Sequence, residues 1–410
     1  MSNAYQNASL LVTPNGYEAG TIFSAKPTDG SGDLSFSRAS TALRRNSSGL
    51  WEEVANNVPR LQYPVGGGCP SWLFEPQATN IALGSQLLDL VTYWLINPSG
   101  TYTDEGISPL FAASTDVHSW LFTAAAQRPF IYQDISMVNT SLYTFSFNCE
   151  SVSGSLTYDD CVAVFSSGTA ISNIVIKNNG VTKSGTDAVA AGFIEYSFTC
   201  NHTGSHQFRL GVGVPDVRTG TIKLSQPQVE SGSVATSPII TAGSAVTRLA
   251  DASNTTGLTS IIGQTEGTIF IDYTFLGIGD PITNFSNILT TNKNTDSAIY
   301  ILRNASNATI RAGIIIGGST VFNLGGGNSA INTKIKIAFV YKSGQSALFI
   351  NGSKIGSTNT TAFTFTQALS EINLNDATTY FGYQAVEEFD QAIIYKKALS
   401  DTEAEDLTAL

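Results

Sequence analysis

Tyr143-Thr144-Phe145-Ser146-Phe147-Asn148-Cys149-Glu150 places an apolar side chain at every odd position and a polar one at every even position. Successive side chains of a β-strand point to opposite sheet faces, so Tyr143, Phe145, Phe147 and Cys149 share one face. The pattern recurs in Ile194-Glu195-Tyr196-Ser197-Phe198-Thr199-Cys200 and in Phe208, Leu210, Val212 and Val214. It recurs again in Ile269, Ile271, Tyr273 and Phe275, and in Ile335, Ile337, Phe339 and Tyr341. Strands that hide one face belong to antiparallel sandwiches. Turn-forming clusters separate them, including Asn178-Asn179-Gly180 and Asn351-Gly352-Ser353. An Asn-Gly pair supplies two residues that tolerate positive φ, so Ala347 to Ile355 reads as a tight hairpin.

Helical periodicity is confined to the C-terminus. Ser400 and Glu403 have capping-box spacing, and Leu407 and Leu410 are expected to dock on the preceding sheet. The predicted fold is therefore all-β, with an irregular N-terminal segment, two antiparallel β-sandwiches and a short C-terminal helix. The predicted divisions are 1–80, 81–250 and 251–410. Residues 1–80 hold few alternating runs and are expected to wrap on neighbours or on a partner subunit. Ala250 to Gly257 reads as a polar linker.

Composition narrows the function. The chain has 410 residues and a formal net charge of −11. Charged residues make up 13%, about half the roughly 25% of ordinary soluble proteins. Hydroxyls and amides dress such a surface, as in extracellular and particle-forming β-proteins. No basic stripe exists to follow a nucleic-acid backbone. No apolar run approaches a membrane span, and the N-terminus lacks the features of a signal peptide.

The residues offer little catalytic chemistry. His118, His202 and His206 are the only histidines. The last two lie in what reads as a polar turn, short of the ligands zinc requires. Cys69, Cys149, Cys161 and Cys200 show no metal spacing. Cys149 and Cys200 end similar strands, so they read as buried thiols or as a cross-strand disulfide. Gly66-Gly67-Gly68 and Gly325-Gly326-Gly327 lack the ending of a phosphate loop. Glu388 and Asp390 alternate on one strand, the nearest approach to a glycosidase carboxylate pair. The expectation is that the chain is not an enzyme and carries no cofactor. Asp272, Asp280, Asn284, Asn287 and Asp296 are oxygen donors of the kind calcium takes, but no compact acidic run assigns a site. Exposed aromatic rings beside amides bind sugars, and the candidates are Trp94, Tyr102, Trp120, Tyr132, Tyr300, Tyr380 and Tyr383.

Three stretches resemble known proteins. Leu34-Ser35-Phe36-Ser37-Arg38-Ala39-Ser40, Asn46 to Arg60 and Cys69-Pro70-Ser71-Trp72-Leu73-Phe74-Glu75-Pro76-Gln77-Ala78-Thr79-Asn80 resemble the N-terminal module of bacteriophage head-fibre, spike and tail-appendage proteins. Gln228 to Thr241, with Val246-Thr247-Arg248-Leu249-Ala250-Asp251, is similar to the closing strand and exit of their jelly roll, a module like carbohydrate-binding modules. Gly267 to Tyr273, Lys336 to Tyr341, Ala347 to Ile355 and Ile393 to Glu403 resemble laminin-G-like, concanavalin A-like domains. The resemblance implies a virion subunit made in the host cytoplasm. It also implies a homotrimer, contacts with other virion proteins through the N-terminal segment, and adhesion to host glycans. Passive capsid decoration is the alternative, with polysaccharide depolymerase activity behind it.

Overall fold

The computed structural model describes residues 5–88, 90–165, 170–277, 285–293, 296–375 and 384–410. It is built from antiparallel sheets, and its longest helix is Asp401–Thr408. The alternating stretches form the expected strands. Phe193 to Cys200 lies within Gly192–Cys200, and the Ile335 set lies within Thr333–Lys342. The Asn-Gly hairpin closes as read, with Asn351 at φ 48°, Gly352 at φ 79° and Ile350 paired with Ser353. Ser400 caps the helix and accepts a hydrogen bond from the Glu403 amide, while the Glu403 carboxylate accepts from the Ser400 amide.

Residues 95–231 supply a seven-stranded sheet packed face to face on a four-stranded one. The core between them holds Phe122, Ile131, Phe145, Phe147, Phe198, Phe208 and Leu224. A second sheet, of 16 strands, curls until its end strands, Ser319–Gly326 and Ser353–Asn359, lie against each other. Its interior carries Ile271, Tyr273, Ile299, Ile301, Ile337, Phe339 and Phe389. The helix covers part of its outer surface through Ala404 and Leu407, over Phe270, Phe349 and Ile393. Leu410, expected to dock with Leu407, is exposed instead.

The N-terminal segment is central to that second sheet. Leu10–Glu18 pairs with Val386–Tyr395 on one side and with Thr21–Lys26 on the other. Thr21–Lys26 continues to Leu34–Ser37, which pairs with Ala252–Thr255. The stretch read as a polar linker is therefore largely a sheet strand. Its polar side chains are held: Asp251 and Ser253 are fully or nearly fully buried.

A buried ionic cluster joins these segments. Arg38 donates to Asp251 at 3.0 Å and to the carbonyls of Ser40, Ala55 and Val58. Arg60 forms short ion pairs with both Glu75 and Asp251. Arg248 donates to the Pro76 carbonyl at 2.8 Å and lies 3.5 Å from Glu75. Ser237 donates to Glu75 through both its amide and its hydroxyl, tying in the 233–241 segment. All five charged side chains are at most 2% exposed. Burying ions is costly unless pairing and hydrogen bonds are nearly complete, which explains the density of contacts.

Alternation misled in one respect. Thr144, Ser146 and Asn148, read as solvent-facing, are buried like their apolar neighbours. Gln226, Gln228 and Glu230 on the adjoining strand are buried on that polar side. Gln226 donates to Gln228, Gln228 to Glu230, and Thr236 closes the run on Glu230. Amides and hydroxyls thus form an interior polar seam that ends on Glu230, although Ser146 Oγ and Asn148 Nδ2 within it have no partner. Burial still pushes the Glu230 carboxyl up to about 7.

Candidate functional site

The predicted sugar-facing aromatics separate into buried and half-buried positions. Trp94 is 1% exposed and packs in the first core, and Tyr300 is 2% exposed beside Leu302 and Ile315. Both are corrections: these rings fill space within the protein. Trp120 donates its indole N–H to the Leu87 carbonyl at 2.7 Å and also packs on that core. Tyr102 is half-buried, stands edge-on to Phe122 and donates to the Asn97 carbonyl. Tyr132 is half-buried against Phe130. The structure brings none of these rings into a shared platform with another candidate. Tyr380 and Tyr383 lie outside the described residues.

The calcium candidates do not converge. Asn287 accepts from Thr290 at 2.7 Å, and Asp296 accepts from Gln367 at 3.0 Å. Asp280 and Asn284 lie outside the described residues. Among the described residues, no group of three or more His, Cys, Asp or Glu is placed to hold a metal. His206 is fully buried on the strand Gly204–Gly211, 3.3 Å from the Cys200 sulfur, rather than in a solvent turn. Cys149 pairs with Gly192, and Leu142 with Thr199, so Cys149 and Cys200 sit toward opposite ends of their strands. They are not cross-strand neighbours, and all four cysteines are free thiols; Cys69 alone is exposed.

A polar cleft of about 420 Å³ opens where six strands of the second sheet meet. Asp272 and Thr274 come from Glu266–Gly277, Lys334 from Thr333–Lys342, and Glu388 and Asp390 from Val386–Tyr395. Thr13, Gln62 and Ser71 complete one wall, with the Cys69 thiol at the rim. A β-bulge creates this concentration of acids. Tyr273 pairs with Phe389 and Asp272 with Gln391, leaving Asp390 as the extra residue. The inward set consequently changes parity, from Phe389 to Ala392 and Ile394. Glu388, Asp390 and Gln391 all line the cleft as a result.

Hydrogen bonds within the cleft are unequally shared. Asp390 takes an ion pair from Lys334 and a 2.5 Å hydrogen bond from the Ser71 hydroxyl. Lys336 stands directly opposite Asp272 in register but donates to the Ala409 carbonyl at 2.8 Å. Asp272, 6% exposed, is left with an Oδ1 that has no partner. Burial raises its carboxyl to about 6. Burial, reinforced by Asp390, raises Glu388 to about 7.

The sequence had marked Glu388, Asp390 and Asp272 separately, as a carboxylate pair and as a calcium candidate. The signal that would have joined them is the parity change between Phe389 and Ala392.

No protein-family model matches the chain, and neither does any curated protein. Solved structures do match, distantly. The CBM40 module of the Ruminococcus gnavus IT-sialidase is 18% identical, with a TM-score of 0.31, covering 38% of this chain and 91% of that one. Domain 4 of AbnA, an extracellular GH43 arabinanase of Geobacillus stearothermophilus, solved with arabinotriose, is 15% identical. Its TM-score is 0.31, with 39% and 73% coverage. A SAP-like pentraxin of Limulus polyphemus is 15% identical, with a TM-score of 0.27 and coverage of 34% and 68%.

Proposed function

We propose that the chain is a non-catalytic structural subunit of a bacteriophage particle that presents its sandwiches for adhesion to host-surface glycans. The observation that carries the binding role is the cleft at Asp272, a recess with an unmet acceptor on a rigid sheet. Saccharides are dense in hydroxyl donors, and carboxylates and amides are the groups that receive them. The particle assignment draws its support from the ordered stretches between Leu34 and Asp251. Arg38, Arg60, Glu75, Arg248 and Asp251, all within or bounding those stretches, meet in one cluster.

The same reading carries a homotrimer, attachment through the N-terminal segment, and a virion location. Imaging intact particles with the protein labelled tests the location, and light scattering tests the trimer. A glycan array tests adhesion: binding by the intact protein supports it, and a blank array on a folded sample removes it.

Glu388 supports a second reading as a polysaccharide-cleaving acid, because its carboxyl is raised to about 7 beside Asp390. Asp390, however, is engaged by Lys334 and Ser71. Release of reducing ends from host polysaccharide, lost in Glu388→Gln, would favour cleavage over adhesion.

A further inference from the structure

The cleft gathers three carboxylates, Asp272, Glu388 and Asp390. Lys334 is ion-paired with Asp390 and also faces Asp272 and Glu388, Arg45 stands near Glu388, and Lys336 donates to the Ala409 carbonyl. Asp272 keeps an unpartnered oxygen although it is over nine-tenths buried. Glu388 on the adjacent strand faces the same recess. A desolvated carboxylate is stabilised most by a positive group that also donates hydrogen bonds. A neutral hydroxyl restores the hydrogen bond but not the charge. An anionic ligand would add repulsion from three acidic side chains.

We propose that this cleft binds a saccharide through an unsubstituted, protonated amine, with Asp272 and Glu388 receiving the ammonium group. The inference rests on the glycan-adhesion reading and narrows it to one ligand chemistry. Gln62 and Ser71, whose hydroxyl is donated to Asp390, line the same recess. Acidic sugars are disfavoured at this site.

The test uses the full chain with a fluorophore on Cys69, the exposed thiol at the rim of the cleft. The probes are a glucosamine trimer, its N-acetylated counterpart and α2,3-sialyllactose. The glucosamine trimer is expected to give a saturable signal, and acetylation to weaken binding about tenfold or more, the scale of one charge-assisted hydrogen bond. Asp272→Asn is expected to weaken the glucosamine trimer by about the same factor, while Asp401→Asn on the distant helix leaves it unchanged. Asp272→Asn removes an unpaired buried charge, and matching unfolding midpoints establish that the variant is folded. Equal affinity for the free and acetylated trimers overturns the inference. So does glucosamine binding that survives Asp272→Asn. If only the acetylated trimer or sialyllactose binds, adhesion stands and the amine site falls. If the unlabelled protein binds nothing on a broad glycan array, both fall.

Discussion

Arg60 and Asp251, 191 residues apart in the chain, form an ion pair with neither side chain exposed. Arg38 holds the other oxygen of the same carboxylate. Removing Asp251 leaves the buried Arg38 guanidinium with carbonyl partners only and Arg60 with Glu75 as its remaining carboxylate. Asp251→Ala is expected to cost about 3–5 kcal/mol in denaturant unfolding, the range for breaking a buried pair. A loss below about 1 kcal/mol would place the cluster among ordinary surface pairs.

The same cluster sets the acid limit. Burial raises the Glu75 carboxyl, but Arg248 and Arg60 outweigh it and hold the group at about 2. A folded-state value below the unfolded 4.5 stabilises above pH 4.5 and loses that contribution as pH falls toward 2. Unfolding midpoints measured from pH 6 to pH 2 should fall more steeply in the native chain than in Glu75→Gln. Parallel curves would remove Glu75 from the account.

Glu387 has the opposite sign. It is fully buried, neither carboxyl oxygen has a partner, and burial raises it to about 8 although Arg303 opposes the rise. Its protonated form stabilises the fold below the unfolded value of 4.5, and that contribution is lost as pH rises through 8. Glu387→Gln should therefore be more stable than the native chain at pH 9, by a few kcal/mol, with the gap closing toward pH 4. Urea titrations at the two pH values measure it.

Trp94→Ala distinguishes packing from recognition. A ring this buried leaves a cavity, and the expected loss is about 3–5 kcal/mol of stability. At temperatures where the variant remains folded, glycan-array binding should be unchanged. Selective loss of binding with full stability would return Trp94 to the surface role first read for it.

Thiol titration checks the interior chemistry. A thiol reagent should modify Cys69 quickly in the native protein and reach Cys149, Cys161 and Cys200 only on unfolding. Burial also raises the Cys149 thiol to about 12, which slows any attack further. Four reactive thiols after denaturation would exclude a bridge.

The strands were legible because alternation is local: Tyr143 to Cys149 and Ile335 to Tyr341 announce their faces within eight residues. The interior polar seam was not, because Thr144, Gln228 and their neighbours are hydroxyls and amides that suit water equally well. Trp94 and Tyr300 were misplaced because a ring has the same letter whether it faces sugar or core. The ionic cluster was invisible for a different reason. Glu75 and Asp251 meet across 176 residues, and pairing over such a span is decided by topology. The cleft was half legible: its acids stood out singly, but their meeting depends on the register of two strands and one bulge.

The place of Leu10–Glu18 in the second sheet bears on how the protein is made. Its neighbours include Val386–Tyr395, synthesised some 370 residues later, so the outer sandwich cannot shut until almost the whole polypeptide has left the ribosome. The sandwich at 95–231 can close in the meantime, as an excursion from an unfinished sheet. A fragment starting at residue 251 would be left with Ala252–Thr255 and Val386–Tyr395 as raw borders. Unpaired borders of that kind recruit other chains, and the fragment should clump.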